Sequence, residues 1–117
     1  MTLPNAHLAV VDQRKVVDYL LNAAHPDNGG KSKFFEALGY SGADPSPLVG
    51  ALKNIAVVGD VVERFESVHG EKYVVDGMLM SHTGQSRFRA IRTVWIVERS
   101  TGAPRLVTAY PRGSEDR

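Results

Sequence analysis

The chain contains no cysteine among its 117 residues. That excludes a disulfide framework, a zinc-thiolate site and a thiol nucleophile, and nothing points to an oxidising compartment. A long apolar run is also missing, since no segment approaches the roughly 20 apolar residues of a membrane span. Residues 1–7 lack the basic start and apolar stretch of a secretory signal. The expectation is a cytoplasmic protein with no membrane contact. Large net charge is absent too: the formal value is +1, without the basic excess usual in nucleic-acid-binding domains. His7, His25, His69 and His82 show neither an i, i+4 pair nor an HExxH pattern, so no metal is expected. Gly39-Tyr40-Ser41-Gly42-Ala43 lacks the second glycine of a nucleophile elbow, and no dinucleotide-binding glycine pattern occurs, so no cofactor is expected.

What charge there is lies unevenly. Arg87, Arg89, Arg92, Arg99, Arg105 and Arg112 face a single acid, Glu98, between residues 85 and 112. Asp60, Glu63, Glu66, Glu71 and Asp76 outnumber Arg64 and Lys72 between 60 and 76. A chain of this length buries roughly 65% of its unfolded surface and builds one core, so residues 1–117 read as a single domain, with 112–117 a flexible tail.

The hydrophobic period divides the chain into two halves. Asp12 caps a helix running to about residue 22, whose Val16, Val17, Leu20 and Leu21 share one face. A second helix spans about 31–38, with Phe34, Phe35 and Leu38 inward and Gly39 as a left-handed cap. A third runs over about 47–58, with Leu48, Leu52, Ile55 and Ala56 in phase. The period then falls to two. Strands are expected at 61–68, weakly because of its acids, and at 72–80, 87–97 and 105–110, with turns at His69-Gly70, Thr83-Gly84 and Ser100-Thr101-Gly102. The fold class is α+β: three N-terminal helices packed on a three- to four-stranded antiparallel sheet.

A two-residue turn at Thr83-Gly84 sets Met80 against Arg87, Met78 against Arg89 and Tyr73 against Val94. A longer loop after Val97 sets Trp95 against Leu106 and Thr93 against Thr108. The core face then holds Tyr73, Val75, Leu79, Phe88, Ala90, Val94, Ile96, Val107 and Ala109, with Arg92 and Arg105 out of place. The opposite face holds Lys72, Asp76, Met78, Arg87, Arg89, Thr93, Trp95, Thr108 and Tyr110. Such a mixture suits a single-stranded polynucleotide, whose phosphates meet arginines while bases stack on flat side chains. It also suits an ordinary solvated sheet.

The loop of residues 25–32, His-Pro-Asp-Asn-Gly-Gly-Lys-Ser, feeds the second helix and offers backbone N–H groups beside Lys31, an anion-site pattern. It is no Walker A loop, because His25 stands where the first glycine belongs.

The segments His25-Pro26, 31–40 (KSKFFEALGY), 72–75 (KYVV), 93–97 (TVWIV) and 104–111 (PRLVTAYP) together resemble a family of uncharacterised small bacterial proteins. The closing Val-Thr-Ala-Tyr strand is remotely similar to the last strand of ribonuclease toxins of the RelE, barnase and EndoU-like fold. The resemblance implies a metal-independent endoribonuclease, the toxin of a toxin-antitoxin pair, with RNA and a small antitoxin protein encoded nearby as partners. Attack of a ribose 2′-OH on phosphorus needs an acid, a base and cations. The implied catalytic set is His25 as base or acid, Lys31 and Arg89 on the phosphorane, Thr108 positioning the phosphate, and Tyr110 orienting the nucleophile. Arg87, Arg92, Thr93, Trp95 and Lys33 would hold flanking RNA. The alternative is a non-catalytic binding module, an adaptor or antitoxin-like partner, using the open sheet face; the near-zero net charge favours it.

Overall fold

A computed structural model describes residues 2–82 and 87–112. Asp12 begins the first helix as expected, its carboxylate accepting from the Arg14 amide at 2.9 Å. This helix, α1, opens as an α-turn over Gln13–Lys15 and continues over Val16–Leu20 with π-type bonding, in which the Leu21 amide donates to the Val16 carbonyl at 2.8 Å. α2 covers Lys31–Ala37, and Gly39 beyond it takes the left-handed conformation that the sequence assigns it, with φ 92°. α3 covers Ser46–Val58, burying Leu48, Leu52, Ile55 and Ala56 on one face.

The second half is a four-stranded antiparallel meander in the order β1 (Asp60–Ser67), β2 (Gly70–Met80), β3 (Phe88–Glu98), β4 (Pro104–Pro111). The helices pack on one face of this open sheet, so the α+β architecture stands. α3 can lie close on β2 because Gly77 has no side chain; a Cβ there would meet Ile55 Cγ2 at 2.9 Å.

The expected register of β2 with β3 is wrong by one residue. Met80 faces Phe88, Met78 faces Ala90 and Tyr73 faces Trp95. A one-residue slip exchanges the faces of a strand. Ile91, Thr93 and Trp95 therefore point into the core, all fully buried, while Phe88, Ala90, Arg92, Val94 and Ile96 lie on the open face. The proposed RNA contacts Trp95 and Thr93 are corrected on that ground: the indole Nε1 donates to the Thr93 hydroxyl at 2.7 Å, and that hydroxyl donates to the Val75 carbonyl at 2.8 Å. The polar atoms of both side chains are satisfied internally, as burial demands.

Arg92, out of place on the expected core side, is on the wet face, forked onto Asp76 at 2.8 and 3.0 Å. Arg112 reaches the same carboxylate at 3.2 Å, and its amide donates to the Ala90 carbonyl. Arg112 is thus tied to the sheet one residue beyond the end of β4. The turn expected at Thr83-Gly84 and residues 113–117 lie outside the described residues.

β4 pairs with β3 as expected at Trp95 and Leu106, but a bulge follows, so Thr93 meets Ala109 and Val94 meets Thr108. Val107, the extra residue, moves from the expected core face to a half-buried position. Arg105 is exposed and paired with Glu98. The outer side of β4 is covered near its start: Val10 forms a parallel bridge to Arg105, donating to the Pro104 carbonyl and accepting from the Leu106 amide.

Candidate functional site

Where the Val10 cover ends, α1 crosses the β4 edge and leaves an open cleft of about 690 Å3, lined by α1, the loop after it, Val107 and Thr108. The bulge creates the opening. It turns Thr108 toward α1, where the Thr108 hydroxyl and the Tyr19 phenol share a hydrogen bond of 2.8 Å.

Tyr19 is the hub of this site. The His25 ring packs against it at 4.9 Å, tilted by 59°. The ammonium groups of Lys15 and Lys31 lie 5.7 and 5.5 Å from its ring centre, within reach of the π-cloud. Sequence periodicity places Tyr19 beside the apolar stripe of α1 but gives no cue to its hydroxyl; only the β4 bulge supplies the partner.

His25 has a fixed tautomer when neutral. Its Nδ1 accepts from the Asp27 amide at 3.0 Å, and an amide can only donate, so the ring proton sits on Nε2. The half-buried imidazole on the cleft lining therefore carries its donor on Nε2.

The loop 25–30 is shaped by Asn28, a buried side chain that sequence reading passes over. Its Nδ2 donates to the Tyr19 and Leu20 carbonyls at 2.6 and 3.2 Å, and its Oδ1 accepts from the Ser32 amide at 3.0 Å. One side chain thus caps the end of α1 and the start of α2. The anion pocket expected at the loop is used up locally: Lys31 Nζ donates to the Asp27 and Asn28 carbonyls at 3.3 and 3.2 Å. Lys31 reaches the site through its contact with Tyr19.

The sequence-derived residues divide. His25, Lys31 and Thr108 come together around Tyr19. Tyr110 follows Thr108 on β4, opposite Arg92, and so continues the site along the open face. Arg89 departs from it: its guanidinium stacks 5.2 Å over the Phe34 ring of α2, opposite the core residue Leu79. Arg87 and Lys33 are exposed, at the start of β3 and on α2. Among the described residues, no three histidine or acidic side chains converge as metal ligands.

The cleft lining carries Arg14, Lys15 and His25 against Asp12, Asp18 and Asp27. Net attraction of an anion is weak there, and the directional donors, Tyr19, Thr108 and His25, set what fits. A second hollow adjoins it, sharing Asp12, Lys15 and Val107 and continuing to Lys72, Ile96 and Arg105. The cleft therefore opens onto the outer sheet face.

The family model described as a domain of unknown function (DUF6883) matches residues 2–113. The chain belongs to this family. No curated protein matches it. Among solved structures, it is similar to a chain of the "contact-dependent growth inhibition toxin - immunity protein complex from Klebsiella pneumoniae 342", with a TM-score of 0.69 and 16% identity. The match covers 92% of this chain and 97% of that chain. At this identity the likeness is one of fold: helices first, then the antiparallel sheet.

Proposed function

We propose that this domain is a toxin-related, metal-independent endoribonuclease whose active site is the cleft around Tyr19, Thr108 and His25. The observation that carries the reading is the Tyr19–Thr108 hydrogen bond beside His25 on the lining of one cleft, a hydroxyl pair with one proton left to donate and an imidazole Nε2–H. The fold likeness to a chain of a growth-inhibition toxin–immunity complex supports the toxin-related part.

In this reading a phosphodiester enters across the β4 edge. The hydroxyl of the Tyr19–Thr108 pair whose proton is left free and His25 Nε2–H donate to its non-bridging oxygens, and Lys15 and Arg14 add charge from the cleft lining. The ribose 2′-oxygen attacks phosphorus, the P–O5′ bond breaks, and the products carry a 2′,3′-cyclic phosphate and a 5′-hydroxyl. Water in the open cleft takes the 2′-proton and supplies one to the departing 5′-oxygen. Preorganised donors aimed at the developing phosphorane account for the acceleration, each worth roughly 10²–10³ in rate. His25 then acts as a hydrogen-bond donor in place of the base or acid role assigned from sequence, because its Nδ1 is held by the Asp27 amide. Tyr110 and Arg92 bind the next nucleotide along the open face.

Induced expression tests the reading in cells. Wild type should arrest growth and leave RNA fragments ending in 2′,3′-cyclic phosphate, while the Thr108→Val chain should do neither at equal abundance. Arrest by both chains, with RNA intact, would sink it.

A further inference from the structure

Every residue of β1 except Val61 and Ser67 is exposed, so neither face of this strand is covered. It ends the sheet with no strand beyond it among the described residues. The backbone N–H and C=O groups along its outer side are therefore available for pairing. A bulge interrupts the strand between Val61 and Glu63, and the turn to β2 begins at Val68. The regular stretch runs from Glu63 to Ser67, and its middle residue is Phe65.

Alternation sorts the side chains of this stretch. Arg64 and Glu66 lie opposite Tyr73 and Glu71, on the helix side of the sheet, while Glu63, Phe65 and Ser67 lie opposite Val74, Lys72 and Gly70, on the open side. Arg64 is bound to Glu71, which also accepts from the Tyr73 hydroxyl. Glu66 faces that same Glu71 across the ladder, and like charges directly opposite are unfavourable. It has no ion-pair partner among the described residues.

We propose that two copies of this chain pair through β1, antiparallel and centred on Phe65, joining their four-stranded sheets into one continuous sheet with both helix layers on the same side. A two-fold axis at Phe65 overlaps the two regular stretches completely and makes the contact self-complementary. Arg64 of each copy then faces Glu66 of the other, Glu63 faces Ser67, and Phe65 faces Phe65. Val62, 50% exposed, approaches Val68, 85% exposed. The incoming guanidinium supplies the cation that Glu66 lacks, and the aromatic and apolar pairs add to the main-chain hydrogen bonds.

The neighbouring registers fail on charge. Centring the axis on Glu63, Arg64 or Glu66 sets that residue against its own copy, like charge against like. One strand pair is small for a specific interface, so the dimer is weak and forms at high concentration. β4 and its cleft lie at the other end of the sheet. The pairing therefore leaves a cleft open at each end of the joined sheet, and it stands whether or not the cleft cleaves RNA.

The test is sedimentation of the full chain from about 10 μM to about 1 mM, with 15N amide spectra over the same range. Wild type should pass from monomer toward dimer, and the signals that move with concentration should fall within residues 60–69. Glu66→Arg and Arg64→Glu should each weaken association at least tenfold, because each sets like charges together. An equal mixture of the two variants should restore it, since every facing pair is again an arginine against a glutamate. If Arg64→Glu loses its folded spectrum, the exposed-site variant Glu66→Arg decides alone. A wild-type chain that stays monomeric at about 1 mM leaves the edge to a strand from another protein and overturns the proposal. Signals that move elsewhere, association of either folded variant equal to wild type, or a folded mixture that stays apart would overturn it too.

Discussion

The two edges of this sheet are built from opposite materials. At β4 the chain folds back on itself: Val10 bridges the strand, a bulge turns Thr108 outward, and Tyr19, His25 and Lys15 close over the gap. At β1 no described residue returns to pair with the edge, and acids and valines face solvent. The covered edge gains fixed geometry, which chemistry requires, because donors must already be aimed where charge develops. The bare edge keeps its backbone groups unspent, which recognition by strand addition requires. The cleft proposed as the active site thus belongs to the covered edge.

The largest perturbation should remove both edges together. Trp95→Ala empties the centre of the core and removes the indole bond to the Thr93 hydroxyl, and a loss of about 3–5 kcal/mol is expected from denaturant unfolding followed by circular dichroism. A smaller change should separate the edges. Asn28→Ala deletes the bonds that tie α1 to α2, at a cost of about 1–3 kcal/mol. Hydrogen exchange should quicken over residues 13–32 while β1 keeps its wild-type rates; equal quickening in both would erase the contrast.

Titration gives a subtler separation. Burial holds the Tyr40 phenol above its ordinary 10.0, and burial followed by the Glu71 hydrogen bond does the same to Tyr73. The folded chain keeps these protons where the unfolded chain releases them. Their contribution is therefore complete below pH 10.0 and drains as pH rises through the folded values. Glu71 runs the other way: the Tyr73 hydroxyl first, then Arg64, hold its carboxyl below 4.5. Its contribution is present above that value and is lost as pH falls. Melting temperature against pH should show a shallower alkaline decline for Tyr40→Phe than for wild type, and a shallower acid decline for Glu71→Gln. The smallest stability effect is expected for Glu63→Lys/Glu66→Lys, within about 0.5 kcal/mol for each exposed site. A large loss would mean that the β1 acids serve the fold.

Much of this architecture was legible from period and punctuation. The Asp12 cap, the Gly39 turn, the α3 stripe and all four strands fall within a few residues of their expected places. The phase of β3 was not legible, because both of its faces are apolar: Phe88, Ala90, Val94 and Ile96 on one, Ile91, Trp95 and Val97 on the other. Counting apolar residues chose the wrong set. Charge held the better cue, since Arg92 demands a wet face and finds Asp76 directly opposite only in the true register. The site was half legible. His25, Lys31 and Thr108 converge, but through Tyr19 and Asn28, whose roles depend on a β-bulge and a π-turn that leave no periodic mark.

The most direct test of the account is cleavage of end-labelled single-stranded RNA by the purified domain in excess EDTA, comparing wild type with Thr108→Val, His25→Gln and His25→Ala. The cleft reading predicts cleavage by wild type, a loss of roughly 10²–10³ for Thr108→Val and His25→Ala, and partial retention by His25→Gln, whose amide still donates. Cleavage by wild type with the three variants unimpaired would contradict it, as would RNA left intact by every chain.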